Sequence, residues 1–314
     1  DDVDLPVQRE NGGPAGIEAF ASALPRADPR TVAGLLANPP DFAPTSLPLT
    51  VHMTALANLL DGGAAGTAEL TTAEDRLLLV ERRNWRHSAI VAGILPSLNE
   101  HRLLDTLAAA LLFGADDVGQ ADRLLHAVLA DAGRVQDVIR AVRGWIGELY
   151  PPADGRRPWG SMQPDRLAEH FFGDRLAMTP GLVEAPLTVA TREQESRLLV
   201  HYARAAAQHP LHGALLTSQL ADLCLRHFEL LAVAMLDVAT RVETPKPLID
   251  ALHRGTQQTD DEALITRLAA YLPMRSVRLA SIALEVSQRL VELNRRLAAG
   301  QTPEFLRRLA LSLS

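Results

Sequence analysis

Between Trp145 and Phe172 the chain reads WIGELYPPADGRRPWGSMQPDRLAEHFF. Two of its three tryptophans fall in this stretch, together with a run of turn-formers and one helix start at Pro164. On both sides the sequence is Ala/Leu/Arg-rich and carries helical periodicity. The stretch therefore reads as a proline-rich hairpin or loop, Pro151 to Pro158, set between helices.

Composition supports an all-helical reading. The chain has 314 residues, 47% of them hydrophobic but only 4% aromatic, so Leu, Ala and Val must fill the core. That suits helices better than sheets, which favour aromatic and β-branched side chains. No apolar run approaches the ~20 residues of a membrane span. The net charge of −7 argues against a nucleic-acid surface, which needs a basic face. Lys246 is the one lysine and Cys224 the one cysteine. A single cysteine excludes an intrachain disulfide and a cysteine-based zinc site. The opening DDVDLPV has no signal-peptide character, and a cytoplasmic location is the expectation.

Outward from the loop, the pattern predicts a flexible lead-in over 1–14 and short helices near 15–24 and 29–37. A helix opened by Ser46 and Pro48 and stopped at Gly62–Gly63 follows. Thr72 and Asp75 predict a capping box for a helix over 72–92, and Ser97 with Glu100 predicts a second. Gly114 ends that next helix, and further helices are expected over 116–130 and 133–149. Beyond Thr179, helices are predicted near 191–208, 211–241 (split between Arg226 and Glu229), 245–254, 259–271, 276–298 and 303–313. Such paired helices suggest a bundle or an α-solenoid.

Reactive constellations are sparse. Lys246 lies in VETPKPLID, with no glycine beside it, so no phosphate-binding P-loop exists in this chain. Cys224 and His227 sit in LADLCLRHFELL and read as a packed thiol beside a partly exposed histidine rather than a dyad. His209 and His212, in QHPLHG, lack a third ligand at metal spacing and read as a helix–turn–helix junction. Asp116–Asp117 and Asp260–Asp261 precede helices and read as caps. Trp85 and Trp145 read as core anchors, whereas Trp159 stands in a loop, where an aromatic is more informative. Arg134, Arg140 and Arg143 share their helix with Asp137 and Glu148, a mixed face that predicts no DNA retention.

Taken together, WIGELYP, WGSMQPDRLAEH, VERRNWRHSA, LLDTLAAALLFGADD, RLLVHYARAAAQHP and LVELNRRLAAGQTPEFLRRLALSLS resemble passages of actinobacterial STAND-type signalling NTPases with C-terminal tetratricopeptide repeats. The resemblance spans most of residues 45–314. It implies a chain lying between a P-loop domain and the repeats: a small helical domain (15–70), a winged-helix-like domain (71–180) with at most a minor β-hairpin, and a helical stack (181–314).

It further implies that Pro48, in Ser46-Leu-Pro-Leu, matches a family proline that approaches the nucleotide base. Gln163-Pro164-Asp165 stands where the family carries a Met-His-Asp motif that reads the bound diphosphate. Asp165 matches, but proline replaces the histidine, which leaves Asp165 as a helix-start residue or a contact to the upstream domain. Trp159, Gln163, Pro164 and Arg166 are the expected hinge or interaction residues. No cofactor is expected in this chain, with ATP or ADP bound by the full-length protein. The expected partners are protein, namely the upstream P-loop domain and downstream repeats or effector. No nucleic acid or membrane is expected, and oligomerisation is allowed. The function so implied is non-catalytic coupling of nucleotide state to a helical sensor. The alternative is a nucleotide-independent protein-interaction scaffold.

Overall fold

A computed structural model describes residues 72–95, 97–130, 135–153, 155–272 and 277–295, together with 33, 53, 54, 56 and 57. The predicted lead-in, the helices near 15–24 and 29–37, Ser46, Pro48 and the helix over 303–313 lie outside these residues, apart from Ala33. Among the described residues every regular element is a helix, so the fold is all-α. The chain divides into two compact units, one of residues 1–96 and 163–167 and one of 97–162 and 168–314.

In the first unit, helix α1 spans Ala73–Val91. The predicted capping box is present: Asp75 N–H donates to Thr72 Oγ1 (3.1 Å) and Thr72 N–H donates to Asp75 Oδ2 (3.1 Å). Leu77, Leu78, Trp85 and Ala89 recur at helical spacing and are buried.

The second unit opens with α2, Glu100–Phe113. Its cap is Asn99, whose Oδ1 accepts from Arg102 N–H at 2.8 Å, rather than Ser97. Asparagine and serine cap about equally well, so local chemistry does not choose between them. Starting at Asn99 leaves Leu98 just ahead of the cap and Leu103 in the first turn, the two positions of a hydrophobic staple, and both are buried. Every residue from Leu103 to Phe113 is buried, and Gly114 closes the helix at φ +62°. Helices α3 (Val118–Val128) and α4 (Val135–Leu149) pack on each other, and α3 also packs on α2.

The Pro151–Pro158 stretch is a loop. Proline offers no N–H to a strand ladder, and no strand forms among the described residues, so a β wing is absent there. The loop closes through Gly160 N–H donating to Tyr150 C=O (2.6 Å). Two glycines that flank it, Gly147 in α4 and Gly160 after the loop, are required by close approach. A Cβ on Gly147 would lie 2.7 Å from Pro158 O, and one on Gly160 would lie 2.9 Å from Pro151 O. Trp145 and Trp159 flank the loop and are both buried.

Helix α5 (Asp165–Met178) begins in residues of the first unit and continues into the second. The short α6 (Glu184–Leu187), not anticipated from the sequence, leads into α7 (Arg192–Gln208), which carries a second capping box built by Thr191 and Gln194. The long 211–241 segment splits as expected, into α8 (Gly213–Arg226) and α9 (Phe228–Arg241), with His227 as the single residue between them. Helix α10 (Lys246–Gln258) runs four residues further than predicted. Helix α11 (Glu262–Tyr271) starts three residues later than predicted, with Asp261 as its cap. A 3₁₀ turn, Val277–Leu279, leads into α12, residues 280–295.

From α7 onward the packing is that of stacked hairpins. Helix α7 packs on α8 and α9, and α10 packs on α8 and α9, so alternate helices lie against each other in two layers.

Candidate functional site

Gln163, Pro164, Asp165 and Arg166 fall together at the start of α5. Asp165 is exposed, and its Oδ1 accepts from Gln163 Nε2 at 3.2 Å. The Gln163–Pro164 peptide bond is cis, and Pro164 C=O accepts from Leu167 N–H at 2.9 Å. Arg166 turns onto α1, where its Nε lies 2.7 Å from Glu74 Oε1. The Glu74 side chain is 8% exposed, so a charge-assisted contact satisfies a carboxylate with little access to water. The sequence offered Arg166 as a hinge residue but gave no sign of Glu74 as its partner.

Trp159 belongs elsewhere. It sits in the second unit, 2% exposed, and its indole N–H donates to Ala110 C=O at 3.2 Å. In this conformation it anchors the loop to α2 and is not presented to a partner. Pro48, the other residue implied near a nucleotide, lies outside the described residues.

The largest regrouping concerns histidines. His209 and His212 stack, with ring centroids 4.7 Å apart. From α5, His170 also stacks on His209, with centroids 4.5 Å apart, and Asp174 Oδ1 lies 3.3 Å from His209 Nε2. One donor atom each from His170, Asp174 and His209 falls within 4.8 Å of the others, a potential ligand set for a transition-metal ion. The missing third ligand thus exists, 35 residues back from His209. Its sequence trace is the one-turn spacing His170-x-x-x-Asp174.

The hydrogen bonds show what this arrangement does. His209 Nδ1 accepts from the N–H groups of Leu211 (3.3 Å) and His212 (3.1 Å). An imidazole accepting at Nδ1 carries its proton on Nε2, which donates to Asp174. A metal on Nε2 would instead put the proton on Nδ1, facing two donors. As built, the cluster is a hydrogen-bonded junction that fixes the α7–α8 turn against α5.

Burial pushes the Cys224 thiol up to about 12, far from thiolate reactivity at neutral pH. His227 Nε2 contacts Glu184 Oε2 at 2.5 Å, as does Arg226 Nη2 with Glu184 Oε1. Burial raises the Glu184 carboxyl, but the hydrogen bonds from Arg226 and His227 outweigh it and hold the group below the usual carboxylate range.

A cleft of about 470 Å³ is lined by Arg192, Arg197, Arg241 and Asp237, among others. Arg241 pairs with Asp237, Arg197 with Asp116, and Arg192 lies 4.1 Å over the Tyr271 ring. Asp117, as expected, caps α3. Of the arginines weighed for DNA contact, Arg143 pairs with Asp122 and Arg140 lies 4.0 Å from Asp137. Arg134 lies outside the described residues. Among the described residues, no helix is long and apolar enough to cross a membrane.

Compared with known proteins, the chain matches no family model, no curated sequence and no solved structure.

Proposed function

We propose that this chain is a coupling region of a STAND-type signalling ATPase. It would convey the state of a nucleotide held by an upstream P-loop domain to a helical sensor or effector downstream. The observation that carries the reading is the assignment of Gln163–Leu167. These five residues group with the first unit, whereas the chain on both sides of them groups with the second. The family-like Gln-Pro-Asp element is thus the segment through which the chain enters the first unit and leaves it again, and it opens α5 directly. Arg166, bound to the buried Glu74 of α1, ties that segment to the first unit. A displacement of the first unit would be delivered covalently to α5, a rigid-body route of the kind common in switching proteins. Nucleotide chemistry belongs to the upstream domain, since no residue here can build a P-loop.

The test is a nucleotide titration of this chain alone and of the chain extended by its upstream coding segment, read by hydrogen exchange of α1 and α5. Exchange that responds to ATP against ADP in the extended protein, and is lost in Arg166→Ala, is the expected result. A response-free extended protein that still captures partner proteins would favour the nucleotide-independent scaffold.

A further inference from the structure

Three polar side chains of the second unit, on α10 and α12, are arranged as a nucleophile, a base and an orienting acid. On α10, His253 Nδ1 bonds Glu285 Oε2 of α12. Its other nitrogen, Nε2, lies 3.2 Å from Ser281 Oγ, one turn before Glu285 on the same helix. The second oxygen of Glu285 is held by Gln257 Nε2 at 2.6 Å. With a neutral imidazole, Nδ1–H donates to the carboxylate and Nε2 accepts the hydroxyl proton. This is the geometric requirement for general-base activation of a serine: nucleophile on base, base on orienting group, and the orienting group itself fixed.

The sequence concealed the arrangement because His253 and Ser281 are 28 residues apart and no nucleophile-elbow motif surrounds the serine. Ser281 is exposed and His253 and Glu285 are partly buried, so the hydroxyl is open to solvent while its base is held. Glu285 lies on one flank of Ser281. Val277 and Leu284, four residues before Ser281 and three after it, are 92% and 61% exposed. Exposed apolar side chains within one turn of Ser281 suit an ester of a short apolar acid rather than a charged one.

We propose that Ser281, His253 and Glu285 form an acyl-transfer site for esters of short apolar acids. Ser281 Oγ attacks the ester carbonyl as its proton passes to His253 Nε2. The carbonyl–alkoxide bond breaks, and the proton returns to the departing oxygen. Water then adds to the acyl-serine, giving its proton to Nε2. The bond to Oγ breaks, the carboxylic acid leaves, and Ser281 regains its hydrogen. The sum is ester plus water to acid plus alcohol, with no other reactant. The proposal does not rest on the coupling reading.

The experiment incubates the full chain with p-nitrophenyl butyrate, follows nitrophenolate release, and locates butyryl groups by peptide mass spectrometry. Ser287, exposed on the same helix but donating to Ala283 C=O, is the internal control. The expected result is a butyryl adduct on Ser281 and none on Ser287, with acylation lost in Ser281→Ala. His253→Asn should slow adduct formation about 100-fold, the usual range for losing a general base. Glu285→Gln, which can retain the Gln257 contact, should slow it about tenfold or more. Circular dichroism melts identify any variant that fails to fold, and the comparison of Ser281 with Ser287 in the unaltered chain then decides alone. Absence of an adduct on Ser281, equal labelling of the two serines, or an unchanged rate in a folded His253→Asn overturns the proposal.

Discussion

Gly173 and His209 pack so closely that a Cβ on Gly173 would lie 2.4 Å from His209 Cδ2, with Leu216 Cδ1 at 3.3 Å. The histidine cannot retreat without losing the two backbone N–H groups bound to its Nδ1. Gly173→Ala should therefore destabilise the protein by about 1–3 kcal/mol, the usual cost of overpacking, despite the better helix propensity of alanine. Gly144, exposed on α4 with nothing near its Cβ position, should behave oppositely. Gly144→Ala should stabilise by about 0.5–1 kcal/mol. Urea unfolding of the two variants side by side checks both signs.

Removing Arg166 would strip Glu74 of a cationic partner in a site with little water. Arg166→Ala should cost about 1–3 kcal/mol, the penalty of leaving a buried acceptor poorly satisfied, moderated by the partial exposure of the arginine. The double change with Glu74→Gln should recover part of that loss, because the buried charge goes with its partner. A double-mutant cycle measured by chemical unfolding provides the number. Asp165→Ala, by contrast, should cost no more than about 1 kcal/mol if the residue only begins a helix.

Two glutamates respond to pH in opposite senses. Glu184 is held below the ordinary value of 4.5 by Arg226 and His227, against the upward push of burial. Its contribution is present above about pH 4.5 and lost as pH falls through the lower folded value. Glu195 is pushed above 4.5, first by burial. Its protonated form suits the fold, so stability is lost as pH rises from 4.5 through the raised value. Glu195→Gln should therefore stabilise the protein at pH 7 more than at pH 4. Glu184→Gln should destabilise it at pH 7 and do little at pH 3. Thermal melts across that range would show crossing profiles for the two variants.

Cys224 gives a simpler expectation. Its thiol is buried and raised to about 12, so it should not react with a thiol-specific disulfide reagent in the folded protein at pH 8. Full reaction should appear only with global unfolding. Fast labelling in native buffer would show that α8 opens locally.

The features legible in the sequence are those made by neighbours along the chain. Thr72 and Asp75 meet across one turn, as do Asp261 and Leu264, and their residue types announce both caps. The break at His227 could be placed within three residues, and Trp145 could be assigned to the core. Ser97 failed against Asn99 because both are good caps, and the choice turned on which frame buried Leu98 and Leu103.

The pairings that give the chain chemical interest join residues far apart. His209 finds Asp174 across 35 residues, and His253 finds Ser281 across 28. Periodicity tells which face of a helix turns inward, but not which helix it meets. Those partners are set by which helices pack together, Asp174 coming from α5 and Ser281 from α12, and the chain between the members of each pair carries no pattern that announces the meeting.

Helix α2 carries a consequence for how the protein is made. Eleven consecutive residues, Leu103 to Phe113, are covered on all sides, and part of that cover is α7. Arg197 of α7, which donates to Phe113 C=O, is synthesised 84 residues later. On a ribosome making about 5–20 residues per second, the greasy rod of α2 waits several seconds for its wrapping. During that interval it is a ready ligand for chaperones and for other nascent chains. A protein truncated before α7 would keep that exposure permanently and should accumulate as aggregate, however well its individual helices form.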